Sequence, residues 1–454
     1  MPTMTSTVQF TYALTEGARF LLGGGGVAVV LPAKQRLDGL DREQVAFLRR
    51  LNAGPVEVDE SDAAIATVRD RLVDAGAIAM TASLDDRELY SIKPFRRPPA
   101  RSDEAQTDVR ISRFTVIRRS GDDVVAENPR AWCDIAVLDP AVLAVLTGMA
   151  VGPDTLDPAA RERLLTDLVW SGHAVVGDEE EQHFATRSWS PHELWFHRRS
   201  TVGDRGTSWA HFGPTRWADG SFEPVPARRD SYPGEPIPLP TPNLAALRTD
   251  DRPLAAVVED RTSVRDFDDD RPVSVDQLGE LLYRCARTRG VRTINADRPV
   301  PEELPSRPFP SGGSLYELEI YPVIRIADGV EPGMYHYDSY DHVLRPVAPY
   351  DDPAVTRLIA PAALTLADGR LPQVLFVLAA RAGRIMWTYE QMPYAVILKH
   401  VGVLTQTLYL TATAMGLGGV AQGYGDTAAF AAATGTDELV ECNVGSFVVG
   451  TPRR

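Results

Sequence analysis

Apolar and polar residues alternate at Val8, Phe10, Tyr12 and Leu14, the period of a half-buried strand. Val27, Val29 and Leu31 repeat that period after a glycine run, Gly23–Gly26. The run suits a hairpin turn better than a phosphate cradle, because no strand–glycine–helix order follows it. Asp41 with Gln44 makes a capping box before an apolar stripe at Val45, Leu48 and Leu51. Ile65, Val68, Leu72 and Val73 line a second helix that stops at Gly76. Strands followed by helices suit a winged-helix-like module over residues 1–90, and an ordinary α+β unit equally well.

Residues 91–230 show less periodicity and read as a second α+β or helical module. Ser190, Pro191 and Glu193 mark a helix start. His192 and His197 are five apart, so they share no helix face and do not make a zincin pair. Arg96, Arg97 and Arg101, among prolines, read as solvated surface. The segment Pro233–Pro242 holds five prolines, and residues 231–250 are expected to form an extended interdomain linker.

Residues 251–454 alternate helices and strands. Pro253 can open a short helix. Ser274 with Gln277 caps another, whose inner face is Leu278, Leu281, Leu282 and Cys285 and which ends at Gly290. A strand is predicted between Leu315 and Ile326, a hairpin from Met334–Tyr337 to Val343–Val347, and a buried strand at Val374–Ala380. Tyr394 to Met415 carries apolar residues at spacings of one, three and four, the signature of a long buried helix. Cys442–Gly450 reads as the last central strand.

The chain has 454 residues, 47 Lys+Arg and 62 Asp+Glu, for a formal charge of −15. Enough material is present for more than one core. The acidic balance disfavours nucleic acid and anionic membranes as partners. Residues 1–90 alone hold nine basic and thirteen acidic side chains, so a peptide added to a strand edge fits that module better than DNA. Cys133, Cys285 and Cys442 are scattered, with neither a disulfide framework nor a metal-binding spacing. The opening residues lack a charged segment followed by an apolar one, and no apolar run is long enough to span a bilayer. A cytoplasmic protein is expected.

The chemistry lies in the C-terminal part. Arg261, Ser263 and Arg265 stand at i, i+2 and i+4. In an extended segment these three side chains share one side and offer planar donors and a hydroxyl to a phosphate or heterocycle edge, although a surface ion-pair cluster has the same spacing. Glycines after Pro310 and Ser311 let a backbone approach a flat ligand.

In order, Arg-x-Ser-x-Arg, Arg307–Ser314 (RPFPSGGS), Gly333–Tyr337 (GMYHY), Tyr389–Glu390, Tyr394–Leu408 and Val444–Gly450 resemble the nitroreductase-like flavin fold. Their finer text resembles its azoline dehydrogenase branch, the SagB/ThcOx type. The N-terminal unit is similar to the leader-recognition modules fused to such enzymes, and Trp189–Ser200 also looks like that branch. The resemblance implies an α+β fold: a mainly antiparallel sheet flanked by helices over 251–454, preceded by winged-helix-like peptide-recognition modules. It implies FMN and a homodimer with sites at the subunit interface. Arg261, Ser263 and Arg265 would hold the phosphate and polar ring edge. Pro310, Ser311, Gly312 and Gly313 would line the ring from the other subunit. Gln406, Gly416, Gly418 and Gly419 would contact ring or tail, and Arg453 would assist the phosphate.

The implied reaction oxidises a thiazoline or oxazoline in a ribosomally made precursor peptide, with a cyclodehydratase as partner. A base takes a proton and flavin takes a hydride. Members of the family commonly carry Lys-Tyr where this chain has Thr388-Tyr389. Threonine is no base at ordinary pH, and Tyr389 could serve as one only if its site lowered a pKa near 10. A general NAD(P)H-dependent nitroreductase and a non-catalytic leader-binding scaffold are the competing readings.

Overall fold

The computed structural model describes residues 7–15, 18–23, 27–31, 35–58, 62–101, 107–148, 156–201 and 213–453. Two compact units divide the chain, Met1–Thr207 and Ser208–Arg454. Each is built on a seven-stranded antiparallel sheet.

In the N-terminal unit the strand order is Val56–Glu57, Gln9–Leu14, Ile78–Leu84, Arg87–Pro94, Cys133–Val137, Asp123–Glu127, Val116–Ser120. Cys133 through Val137 pair with Pro94 through Tyr90, so one sheet runs through both stretches that the sequence suggested as separate modules. The helices arise as the pattern predicts. Asp41 and Gln44 close a reciprocal capping box at the start of Arg42–Ala53. Ala63–Asp74 buries Ile65, Val68, Leu72 and Val73. Gly76 follows at φ 65°, and its amide reaches back to Val73.

Two local readings change. In Val27–Leu31 the buried residues are Ala28 and Val30, the opposite phase to the one expected. This strand pairs with Arg19–Gly23 and Gln35–Leu37 in a separate three-stranded sheet. Gly24–Gly26 of the proposed turn lie outside the described residues, while Gly23 pairs with Val27 across it.

The C-terminal unit orders its strands Ile237–Pro238, Val343–Pro349, Gly333–Asp338, Leu318–Ile324, Val374–Ala380, Cys442–Gly450, Gly418–Gln422. Leu318–Ile324 and Val374–Ala380 are buried along their whole length, as strands covered on both faces must be. Leu318, Ile320, Phe376 and Leu378 face a core shared with the helices Val275–Ala286 and Pro393–Ala414. Tyr321, Val323, Leu375 and Val377 face the opposite core, with Pro353–Ile359 and Thr427–Thr434.

The capped helix stops at Ala286 and not at Gly290, because Gly290 opens a strand paired with Glu302–Ser306. The proline-rich stretch is no free linker. Ile237–Pro238 adds an edge strand to the sheet, Leu239 is buried, and Leu244–Asp250 is helical. Residues 213–227 pack on the C-terminal unit. Arg381 donates to the carbonyls of Ala227 (2.9 Å) and Pro226 (2.8 Å), and Trp387 Nε1 donates to that of Phe222 at 2.9 Å.

Candidate functional site

Arg261, Ser263 and Arg265 follow the helix Leu254–Asp260 and run beside the edge strand Gly418–Gln422. Two backbone links fix them: Val264 N donates to Gly419 O at 3.0 Å, and Phe267 bridges Pro452. Close approach requires the glycines. A Cβ on Gly418 would lie 2.7 Å from Val264 Cγ1, and one on Gly419 would lie 2.4 Å from Phe447 Cζ. Gly416 holds a left-handed helix end at φ 71°. These glycines let the Arg-x-Ser-x-Arg segment lie against the sheet.

Ser263 Oγ is 3.1 Å from the Tyr409 hydroxyl, which accepts the Ala421 amide at 2.8 Å. The Arg261 guanidinium sits 5.4 Å from the centre of the Tyr409 ring. Arg265 is exposed and donates to Ser263 O at 3.3 Å. Among the described residues neither Arg261 nor Arg265 has a carboxylate partner, which removes the ion-pair reading of this motif. Arg453 does have one: its Nε lies 3.1 Å from Asp266 Oδ1, and its amide donates to Asp266 O.

Ala421 also lines a cleft of about 370 Å³, with Tyr394, Val401 and Thr405 on one side and Gln422–Gly425 and Asn443–Ser446 on the other. That volume is in the range of small-ligand pockets. Gln422 is 7 % exposed; its Oε1 accepts from Thr365, while Nε2 is buried with no partner among the described residues. Thr427 Oγ1, also on the wall, is likewise buried and has no hydrogen bond among the described residues. Buried donors left unbonded are costly, so a polar ligand with acceptors along its edge is well matched here. Arg261 and Arg265 do not line the cleft but are linked to it through Ser263, Tyr409 and Ala421, and two guanidiniums without carboxylate partners among the described residues suit a phosphate. The residues therefore fit FMN. Tyr409, Ala421 and Gln422 escaped the sequence reading, since a tyrosine in an apolar helix reads as core.

The loop Pro310–Gly313 belongs to a second constellation. Gly312 N donates to His400 Nε2 at 2.7 Å, and His400 Nδ1 is 2.7 Å from Glu317 Oε1. Ser311 Oγ accepts the Tyr316 amide at 3.0 Å. Pro310 is exposed, and Gly313 has φ 63°. His400 and Tyr409 lie on one helix nine residues apart, two and a half turns and roughly 14 Å along the axis. The loop and the Arg-x-Ser-x-Arg segment thus meet opposite faces of that helix. Gln406 is exposed on the same helix. His400 and Glu317 were also missed; only the pairing across the fold reveals them.

Thr388 and Tyr389 end the helix Gly383–Thr388. Thr388 is 2 % exposed, and its hydroxyl donates to Arg384 O at 3.3 Å. Its Cα and Cγ2 would each lie 3.4 Å from a Cβ built on Gly213. Tyr389 is half-buried, and burial, followed by the Glu317 charge, pushes its phenol above the ordinary value. This is the reverse of what a base requires. Tyr389 is a protonated donor at neutral pH.

The N-terminal unit has its own cleft of about 530 Å³, between Phe10, Tyr12 and Met80 of the sheet, Arg69 and Val73, Pro98–Arg101, Arg163 and Trp170. Arginines stack on its rings: Arg163 on Phe10 at 4.3 Å, Arg101 on Trp170 at 5.1 Å and Arg69 on Tyr12 at 5.8 Å. Arg101 is not the solvated side chain expected. Its Nη2 lies 2.9 Å from the fully buried Asp167, which Arg163 and Tyr90 also bind. Among the described residues no group of three or more His, Cys, Asp or Glu is placed to hold a metal, and no helix is long and apolar enough to cross a membrane.

Comparison with known proteins agrees with this architecture. The nitroreductase family matches residues 258–451, and the cyanobactin oxidase ThcOx family matches residues 109–205. A curated nitroreductase of Methanocaldococcus jannaschii is 28 % identical over 193 residues, covering 42 % of this chain and 85 % of that protein. Among solved structures, a nitroreductase of Ralstonia eutropha is 22 % identical with a TM-score of 0.37, over 51 % of this chain and 98 % of its own. A chain of the Escherichia coli microcin synthetase McbBCD complex, solved with truncated pro-MccB17 bound, is 18 % identical with a TM-score of 0.35, over 57 % and 87 %. Overlaps of that extent carry no weight for activity. Residues 258–451 thus form a nitroreductase-family domain, and the segment before it, residues 109–205, is similar to the cyanobactin oxidase ThcOx family.

Proposed function

We propose that this protein is an FMN-dependent dehydrogenase that oxidises thiazoline or oxazoline rings in a ribosomally made precursor peptide. One observation carries the cofactor half of this reading: Arg261 and Arg265, without carboxylate partners among the described residues, belong to a segment joined through Ser263 and Tyr409 to Ala421, which lines the cleft. The similarity to the ThcOx family supports the substrate half.

Arg261 and Arg265 would bind the cofactor phosphate, with Ser263 oriented by Tyr409. Arg453 is turned toward Asp266 and would contribute through the local field. The backbone of Gly418 and Gly419 would act by placing the Arg-x-Ser-x-Arg segment, and Gly416 by ending the long helix. When bound, FMN supplies the electron sink for oxidation. Tyr389 would hold the azoline ring nitrogen by donating a hydrogen bond. Thr388, buried and bonded to its own helix, would only shape the wall.

The Pro310–Gly313 loop and the phosphate segment meet opposite faces of one helix. A flat ligand touching both in the family manner needs the loop of a second copy, which supports a homodimer. The cleft of the N-terminal unit, with its stacked arginines and Pro98–Pro99, is the place where a leader peptide would dock. A cyclodehydratase would supply the azoline. A leader-binding scaffold is the second reading, favoured by the buried threonine at the place of the family lysine.

Mass spectrometry decides between them. Incubation of the FMN-loaded protein with a thiazoline-bearing precursor should give a peptide lighter by two hydrogens. A protein that binds the precursor and FMN yet leaves its mass unchanged would be the scaffold.

A further inference from the structure

Glu317 and His400 form a buried pair to which neither the phosphate segment nor the cleft gives a role. The imidazole is 6 % exposed and Glu317 is fully buried. Gly312 N–H points at Nε2 from 2.7 Å, so Nε2 accepts and the ring proton sits on Nδ1. From there it is donated to Glu317 Oε1 at 2.7 Å. The ring is thereby neutral and held in one tautomer, as a carboxylate behind a histidine does. The other carboxylate oxygen is 3.5 Å from Ser311 Oγ. A Cβ on Gly312 would lie 3.3 Å from Nε2 and 3.4 Å from Val396 Cγ1, so backbone and ring are closely fitted. The next residue, Gly313, turns at φ 63°, a conformation that favours glycine.

We propose that His400 is a positioning residue: oriented by Glu317, it fixes the Ser311–Gly313 loop through the Gly312 amide. The inference rests on the proposed function for its catalytic consequence, but not for its geometry. Two variants separate position from bulk. His400→Leu removes the acceptor, whereas the side-chain carbonyl of His400→Gln can accept the Gly312 amide again.

In the full chain without flavin, His400→Leu should speed amide hydrogen exchange across 310–317 by roughly two- to tenfold, the worth of one net hydrogen bond. Exchange in Val374–Ala380 should stay unchanged, and His400→Gln should restore the slow rate. With FMN and an azoline peptide, His400→Leu should lower kcat and leave KM for the peptide unchanged, with recovery in His400→Gln. If the leucine variant does not fold, nitrogen-15 histidine NMR of the wild type decides, since the proposal requires His400 protonated on Nδ1 alone. A His400 protonated on Nε2, unchanged exchange across 310–317, acceleration spread equally through the unit, or equal behaviour of Leu and Gln would each overturn it. A protein that binds no flavin would sink the proposed function and leave the exchange result standing.

Discussion

In a chain of net charge −15, Arg261 and Arg265 stand out because among the described residues neither has a carboxylate partner. Arg265→Ala should weaken FMN binding roughly ten- to a hundredfold, because a charge-assisted contact is worth about 1.5–3 kcal/mol. Flavin titration with unchanged affinity would remove it from the site. The Thr388-Tyr389 pair needs a different expectation from the one its residue types suggest. Burial and Glu317 raise the Tyr389 pKa, so the native state holds that proton more tightly than the unfolded chain. Its contribution to stability is complete below pH about 10 and is lost as pH rises through the higher folded value. Turnover that depends on the phenol should therefore stay flat from neutral pH to about 10 and fall only above. Tyr389→Phe should keep FMN and lose about 10²–10⁴-fold in rate if its proton is used in the transition state. Equal rates would take tyrosine out of the mechanism. Thr388→Lys, which restores the family pair on paper, places an ammonium where a methyl packs near Gly213. It should cost on the order of 3 kcal/mol and lower the melting temperature without raising turnover.

At the level of elements, short-range chemistry was the legible part. The capping boxes at Asp41, Ser190 and Ser274 all form, and the buried faces of Ala63–Asp74 and Val275–Ala286 are those the spacing predicts. The strands Val374–Ala380 and Cys442–Gly450 have the limits read from their apolar runs. What the sequence hid is what depends on distant partners. Val27–Leu31 carries apolar residues on both faces, so its phase is set by which sheet it joins. Five prolines look like a linker until an edge strand offers Ile237 and Pro238 a neighbour. Tyr409, His400 and Glu317 carry no local signal; their meaning comes from Ala421, Gly312 and each other. Gly419 shows the same dependence. Gly419→Ala should destabilise the C-terminal unit by about 1–3 kcal/mol through collision with Phe447, measured by denaturant unfolding. An alanine tolerated without cost would show that the glycine serves something other than close packing.

For the whole molecule, one sheet spans residues 9 to 137, so removing residues 1–90 would strip strands from a shared core as well as any docking surface. Point variants in the N-terminal cleft are the cleaner probe. Arg69→Ala should lower the affinity for a full-length precursor by roughly fivefold or more, since buried arginines at peptide interfaces often exceed 1 kcal/mol. Unchanged affinity would move the docking site elsewhere. The central claim is that bound FMN takes electrons from an azoline, and anaerobic mixing reads that transfer directly. The FMN-loaded protein should lose its blue-light absorption on addition of a thiazoline peptide, without NAD(P)H, and regain it when oxidant is admitted. Bound flavin that stays oxidised with the peptide and is bleached by NAD(P)H alone would contradict the account.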